Sequence, residues 1–115
     1  RAWTVAVQDP NKSKKYPDVI TMADGAIATS GNYEIFYDRE KIFHHIVDSN
    51  TGRSPLFSTS VTVIADNVVD ADAMATAAFV MEPVEGIRFI EKQPDCECFL
   101  IRENGDFVKS SGWQV

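Results

Sequence analysis

The most informative stretch of the chain is SVTVIADNVVDADAMATAAF, residues 60–79, because the spacing of its apolar residues changes once along its length. Residues 60–65 are rich in β-branched side chains and predict a compact strand. From residue 71 onward the apolar side chains recur at helical spacing, at Ala71, Met74, Ala75, Ala78 and Phe79. The pattern therefore predicts a strand followed by a helix with one apolar stripe. Asp70 is the expected N-cap, and the helix should end by Pro83.

Two turn signals indicate hairpins on either side of this stretch. Asp24-Gly25 supplies the positive φ values of a tight turn, so Val19–Ala23 and Ala26–Ser30 are expected to pair with each other. Near the end of the chain, Asn104-Gly105 separates Glu97–Arg102 from Asp106–Lys109 in the same way. We expect the second pair to form a closing hairpin.

The remaining elements are predicted from composition and from the turn-forming residues between them. They are strands at Ala2–Gln8, Tyr33–Tyr37 and Ile42–Val47 and a second helix at Val84–Lys92. The sum is an α+β fold, an antiparallel sheet of about six or seven strands with one or two helices packed on a face.

Length and charge exclude several classes of protein. The chain has 115 residues and a mass of 12.8 kDa, which suits one domain with a modest core. Its formal net charge of −6 offers no attraction to a phosphate backbone, so nucleic acid is not expected as a partner. No apolar run approaches the roughly 20 residues of a membrane-spanning helix. A strand begins at Ala2 without a start Met, so we expect the chain to be cut from a longer protein.

Cys96 and Cys98 form a C-x-C pair. In an extended segment their side chains point to the same face, and two ligands so close are too few for a closed zinc site. A disulfide between positions two apart would be strained. We expect two reduced thiols, of which one or both are packed.

Three polar clusters are candidates for chemistry, and the first two lie where predicted strands end. Thr29-Ser30-Gly31-Asn32 offers hydroxyls and backbone N–H groups to an anionic ligand, although these residues equally suit a plain turn. In the second cluster, His44 to Gly52, the two histidines face opposite sides of a strand, so at most one can enter a shared site. A histidine there suits proton transfer. Asp48 and Thr51 equally suit the satisfaction of loop amides.

The third cluster lies on the predicted helix. Asp72 and Thr76 are four residues apart, hence on one face and off the apolar stripe. A carboxylate and a hydroxyl so placed can both reach one Mg²⁺ ion, which takes one or two carboxylates from protein and shares its other positions with phosphate and water. The alternative is an ordinary helix start, in which the acidic residues favour the macrodipole and Thr76 bonds back to its own helix.

Taken together and in order, four blocks resemble the C-terminal part of the ApbE family, the flavin transferases, also called FAD:protein FMN transferases. The blocks are residues 26–34, 45–52, 60–65 and 71–81, and the resemblance covers nearly the whole chain, from Trp3 to the Ser111-Gly112 region. We therefore expect residues 1–115 to be the C-terminal portion of one ApbE-like domain. It implies Mg²⁺-dependent attack on the pyrophosphate of FAD, release of AMP, and attachment of FMN to a Thr or Ser of a target protein.

The resemblance also implies roles for individual residues. The metal ligands are Asp72 and Thr76, and either His45 or Asp48 is expected to help remove the proton of the attacking hydroxyl. The residues implied to contact the flavin and phosphates are Thr29, Ser30, Gly31, His45, Val47, Asp48, Thr51 and Gly52. Two positions depart from the family pattern: Ser49 stands where Pro is usual, and Ala75 stands where some members carry a second Asp.

The N-terminal part of the family fold, which completes the site, is absent from the chain, so we expect that part to be a partner along with FAD and the target protein. Two alternatives to the transferase stay open. One is an FAD pyrophosphatase that gives FMN and AMP, and the other is a non-catalytic flavin-binding fragment. An acidic interaction domain with three purely structural clusters is the alternative from another class. By resemblance only, we expect a periplasmic or cell-envelope location with a lipid anchor outside this chain.

Overall fold

A computed structural model describes residues 3–7, 17–31 and 57–113 of the chain. Its elements, in chain order, are β1 (Trp3–Val7), β2 (Asp18–Met22), β3 (Ala26–Gly31), β4 (Ser58–Ala65), α1 (Val68–Val80), α2 (Pro83–Glu91), β5 (Glu97–Arg102) and β6 (Phe107–Lys109). The α+β class is confirmed. In this part of the chain no helix is long and apolar enough to cross a membrane. The predicted strands Tyr33–Tyr37 and Ile42–Val47 lie outside the described residues.

Four strands form an antiparallel sheet in the order β3-β4-β5-β6. Strand β4 lies inside this sheet and is almost entirely buried, because layers cover both of its faces. Its β-branched side chains suit that position. The strand predicted at residues 60–65 is confirmed as part of β4. The closing hairpin β5–β6 is also confirmed, with Gly105 at φ +92° in its turn.

Helices α1 and α2 cover one face of this sheet. The buried stripe of α1, at Ala71, Ala75, Ala78 and Phe79, packs on Val61 and Val63 of β4. Helix α2 approaches α1 closely because Gly86 lies against Ala78, where an added Cβ would come within 3.0 Å of the Ala78 carbonyl oxygen. This packing fixes the exposed side of α1 relative to β3, and the candidate site lies on that side.

The opposite face is covered by a separate two-stranded sheet, β1–β2. Its inward residues Val7 and Ile20 pack with Phe99, Ile101 and Trp113. Near this cluster the buried carboxylate of Asp18 accepts a hydrogen bond from Trp113 Nε1 at 2.7 Å and lies 3.6 Å from Lys109 Nζ. The described strands are thus divided between two sheets rather than joined in one.

The hairpin predicted across Asp24-Gly25 is wrong. Strand β2 pairs with β1, and β3 pairs with β4, so the turn joins two layers instead of two neighbouring strands. Gly25 has φ +90°, and a Cβ there would come within 2.9 Å of the Ala65 carbonyl oxygen. A positive φ is confirmed at Gly25 but not at Asp24. The strand pairing follows burial, because Ile20 faces the β1–β2 cluster while Ala26 and Ala28 pack against the helical layer.

The N-cap of α1 is Asn67, not Asp70. Asn67 Oδ1 accepts from the Asp70 backbone N–H at 2.9 Å, and Asn67 Nδ2 donates to Asp70 Oδ2 at 3.0 Å. The helix therefore starts at Val68, before the first residue of its buried stripe. Val68 and Val69 are exposed, so the apolar period did not reveal this first turn. The predicted end of α1 and the second helix are confirmed, α2 beginning at Pro83 and ending at Glu91.

Both cysteines are free and buried on the helical side of the sheet, as predicted. The Cys96 thiol donates to Met74 Sδ at 3.5 Å. Burial, with the neighbouring carboxylates, raises the pKa of Cys96, and burial raises the pKa of Cys98 to about 12.

We expect Cys98 to resist thiol reagents near pH 8 in the folded protein and to react once urea unfolds it, because the thiolate is the reactive form. An unfolded thiol ionises near pH 9 while native Cys98 stays protonated to about pH 12. This residue's contribution to stability is therefore complete below pH 9 and is lost as the pH rises toward 12. Titration with a disulfide reagent, with and without urea, measures the protection. Rapid modification of both thiols before unfolding would contradict it.

Candidate functional site

The candidate site lies at the sheet edge where β3 ends and β4 begins. Gly31 pairs with Ser60, and Ser30 pairs with Val61. Gly31 and Phe57, which flank residues 32–56 in the sequence, both lie at this edge. Helix α1 runs back from the other end of β4 and brings its C-terminal half over Ser30.

Ser30 and Thr76 are in direct contact across the interface between helix and sheet. Ser30 Oγ and Thr76 Oγ1 are 2.9 Å apart and share a hydrogen bond in which either hydroxyl can donate. Ser30 is buried, whereas Thr76 is exposed. The buried stripe of α1 holds Thr76 in place, and Ser30 orients its hydroxyl. The structural alternative, a bond from Thr76 back to its own helix, is not the contact that the structure shows.

Asp72 lies one turn before Thr76 on the exposed side of α1. Within the part of the chain that the structure describes, its carboxylate makes no hydrogen bond or ion pair. No described residue therefore holds either oxygen. The Asp72 carboxylate and the Thr76 hydroxyl are hard oxygen donors on one helix face, which is the donor chemistry that Mg²⁺ takes from proteins.

This pair is only part of a metal shell. No group of three or more His, Cys, Asp or Glu side chains converges anywhere in residues 3–7, 17–31 and 57–113. A single carboxylate with a hydroxyl fits an ion that takes its other oxygens from phosphate and water, and it does not fit a closed structural site. We refer to Ser30, Asp72 and Thr76 as the β3–α1 site.

The other residues predicted for this cleft are not gathered with them. Thr29 Oγ1 lies 2.8 Å from Thr62 Oγ1, and strand alternation puts this pair on the opposite face of the sheet from Ser30. Thr29 can reach the helical side only through its backbone. Gly31 is half-buried at the strand end. The predicted residues His45, Val47, Asp48, Thr51 and Gly52 lie outside the described residues.

Sequence reasoning missed two further hydroxyls at this edge. Ser58 Oγ and Ser60 Oγ are buried and have no hydrogen-bond partner among the described residues. A buried hydroxyl without a partner costs about 1–3 kcal/mol, so such groups call for an explanation. The signal is the sequence Ser-Thr-Ser at the start of β4, of which the predicted strand, residues 60–65, included only Ser60.

An open cleft of about 420 Å³ lies at the same end of the sheet. Phe57 and Arg102 line it from the strands, and Glu82 and Pro83 line it from the junction of the two helices. Its walls carry charges of both signs, whereas the exposed side of α1 carries only carboxylates.

Comparisons with known proteins agree in pointing to one family. A model of the ApbE family matches residues 1–100. The chain is 33% identical over 102 residues to the FAD:protein FMN transferase of Treponema pallidum, covering 86% of this chain and 28% of that protein. It is 32% identical over 111 residues to the FAD:protein FMN transferase of Escherichia coli, covering 94% of this chain and 31% of that protein.

Solved structures give the same result. The ApbE protein of Thermotoga maritima superposes with a TM-score of 0.84 at 33% identity, covering 96% of this chain and 36% of that one. The flavin transferase ApbE of Vibrio cholerae superposes with a TM-score of 0.73 at 30% identity, covering 93% and 34%. The chain thus spans about a third of the length of these relatives.

Proposed function

The chain belongs to the ApbE family, and from that premise we propose that it supplies the metal-binding side of an FAD:protein FMN transferase. In the proposed reaction a Thr or Ser hydroxyl of a target protein attacks the FMN phosphorus of FAD. The new phosphoester bond forms as the bond to AMP breaks, AMP leaves with the electron pair, and the hydroxyl proton passes to a base.

The observation that supports this proposal most strongly is the free carboxylate of Asp72, one helical turn from a Thr76 hydroxyl that Ser30 orients. In the proposal Asp72 and Thr76 hold Mg²⁺. When bound, the ion neutralises the charge that develops on the phosphoryl oxygens. Phosphoryl transfer depends mainly on positioning and charge stabilisation, so this chain needs no strongly nucleophilic side chain.

The acidic character of α1 supports the proposed metal. In residues 57–87 there is no Lys or Arg, and α1 itself carries Asp70 and Asp72. An anionic pyrophosphate would be repelled from this face unless a cation lay between them. Ser30 and Thr76 then add neutral hydroxyl groups beside the phosphates, because hydroxyls can donate to phosphate oxygen without adding charge.

The residues implied by the family pattern complete the proposal. His45 or Asp48 takes the proton of the attacking hydroxyl. The proposed contacts to flavin and phosphate are those of Thr29, Ser30, Gly31, His45, Val47, Asp48, Thr51 and Gly52. Because the chain spans about a third of its relatives, the remainder of the site is proposed to come from the part of the family fold that precedes it.

The test is incubation of the natural full-length protein with FAD, Mg²⁺ and a target protein, followed by chromatography for AMP and FMN and mass spectrometry of the target. We expect AMP release together with a target that gains the mass of FMN. Both should stop with EDTA and return when Mg²⁺ is added in excess.

Other outcomes would decide against the proposal. AMP and free FMN without a modified target would show a pyrophosphatase. FAD binding without any AMP, in a folded sample, would show a flavin-binding protein without turnover. Transfer that continues in EDTA would remove the metal from the proposal.

A further inference from the structure

Ser30 is a buried hydroxyl residue on an otherwise apolar face of β3. Strand alternation places it on the helical side together with Ala26 and Ala28, which pack against the core cluster of α1. Ser30 is 7% exposed, and its Oγ lies 2.9 Å from Thr76 Oγ1 on the overlying helix. An alanine would continue the apolar pattern of this face, so packing alone does not require a serine. What the serine adds is the hydrogen bond to Thr76.

The Thr76 side chain depends on this contact for its orientation. A threonine inside a helix commonly donates its hydroxyl to the backbone carbonyl four residues earlier, and it divides between two χ1 rotamers. In the structure the Thr76 hydroxyl instead meets a side chain of another element, 46 residues away in the sequence. The packing of α1 therefore fixes the Thr76 backbone, and the contact with Ser30 fixes the direction of its hydroxyl.

In the proposed function Thr76 binds a cation, and this decides which hydroxyl donates the hydrogen bond. A hydroxyl has one proton to donate and two lone pairs that accept. A cation on Thr76 Oγ1 repels a second proton that is directed at the same oxygen. Thr76 must therefore donate its own proton to Ser30 Oγ, and both lone pairs of Thr76 then stay free for the ion.

We propose that Ser30 is a positioning residue for the metal, which accepts the proton of Thr76 and so holds the Thr76 oxygen ready to bind the ion. The inference rests on the transferase function proposed above and assigns Ser30 a role that acts through Thr76. Ser30 keeps its own proton, so this role is compatible with the phosphate contact proposed for the same residue. Partners that orient a metal ligand commonly change metal affinity by about 10–100-fold when they are removed.

The experiment compares the natural full-length protein with Ser30→Ala, which continues the apolar pattern of the strand and removes the hydrogen-bond acceptor. The measurement is binding of Mn²⁺ alone, as a spectroscopic substitute for Mg²⁺, followed by electron paramagnetic resonance of the free ion. FAD is left out, so that a contact between Ser30 and phosphate cannot contribute to the result. The thermal unfolding midpoint of each protein is measured in parallel.

The matched control is Thr62→Val. Thr62 is buried, and its hydroxyl forms the same kind of pair with Thr29, at 2.8 Å between the two Oγ1 atoms, on the opposite face of the sheet. Valine has nearly the shape of threonine, so the control removes a hydroxyl pair of the same sheet without touching α1. A second comparison repeats Ser30→Ala in a Thr76→Val background, where no hydroxyl is left to be positioned.

We expect Ser30→Ala to weaken Mn²⁺ binding about tenfold, with an unfolding midpoint no lower than that of the control. Thr62→Val should bind Mn²⁺ as the natural protein does. In the Thr76→Val background, Ser30→Ala should weaken binding no further, because the effect of Ser30 is carried by the Thr76 hydroxyl.

Three results would overturn the inference. The first is Mn²⁺ binding by Ser30→Ala that equals that of the natural protein. The second is a loss that persists in the Thr76→Val background or appears equally in Thr62→Val, since either shows an effect that the Thr76 hydroxyl does not carry. The third is a natural protein that binds no Mn²⁺, which removes the metal from the proposed function itself and is recognised before any variant is compared.

Discussion

Replacing Asp72 with alanine is expected to lower Mg²⁺-dependent AMP release from FAD by about a hundredfold or more. In the proposal the site then loses the carboxylate that holds the metal, and with it several kcal/mol of charge stabilisation in the transition state. In the described structure Asp72 is the carboxylate that lies one turn from Thr76. No neighbouring carboxylate in the β3–α1 site is placed to substitute for it, since position 75 is alanine. The measurement is AMP release at varied Mg²⁺ concentration, in the natural full-length protein.

The same substitution should leave the fold intact. Asp72 is exposed, lies off the buried stripe of α1 and contributes no hydrogen bond to the described structure, so the free energy of unfolding should change by less than about 0.5 kcal/mol. Alanine is also a strong helix former. A loss of activity with an unchanged unfolding transition therefore reports on chemistry rather than on folding.

Two controls make the result specific. Asp72→Asn keeps the shape of the side chain and removes its charge, and it should behave like the alanine variant. Glu85→Gln removes an exposed carboxylate from the first turn of α2, away from the site, and should keep full activity. If AMP release by Asp72→Ala depends on Mg²⁺ as it does in the natural protein, the proposal that Asp72 binds the metal is refuted.

The central strand and helix could be predicted from the sequence because their signals are local. Strand β4 needs only a β-branched run, and the stripe of α1 needs only residues three and four apart. The same holds for the spacing of Asp72 and Thr76, since a helix places them on one face wherever it packs. Residues 60–79 therefore gave both the main elements and two residues of the candidate site.

What could not be predicted depends on contacts between distant segments. The hydrogen bond between Ser30 and Thr76 joins residues 46 apart, and neither residue indicates the other. The pairing of β3 with β4 rather than β2 has the same origin, because a tight turn at Gly25 suits a hairpin and a layer crossing equally well. The start of α1 was missed for a different reason. Its first turn exposes valines, and an apolar pattern reveals only the turns that are buried.

The Ser30–Thr76 contact also links the stability of the fold to the geometry of the proposed site. Thr76 is positioned by the packing of α1 on β3 and β4, so loosening this packing would move the Thr76 hydroxyl away from Ser30. Substitutions in the buried stripe should therefore lower the free energy of unfolding, and they should weaken the proposed metal binding as a consequence. A substitution at Asp72 should weaken the proposed metal binding without lowering the free energy of unfolding.

Phe79→Ala is the substitution for which we expect the largest loss of stability. Phe79 has no exposed surface and is among the largest fully buried side chains of the described residues, and it packs in the cluster that joins α1 to Val61, Val63 and Ile90. Removing its ring should lower the free energy of unfolding by about 3–5 kcal/mol, the sum of lost transfer energy and the cavity left behind. Domains are stable by only about 5–15 kcal/mol in total, so the variant should be close to unfolding.

Equilibrium urea unfolding measures this loss, with a lower midpoint and an unchanged slope as the expected result. Phe107→Ala is the matched control, because Phe107 carries the same ring on β6 but is 53% exposed and should cost well under half as much. A loss below about 1 kcal/mol for Phe79→Ala, or equal losses for both variants, would show that α1 does not pack through this face. The position of Thr76 over Ser30 would then lose its structural basis, since the same buried stripe holds both residues in contact.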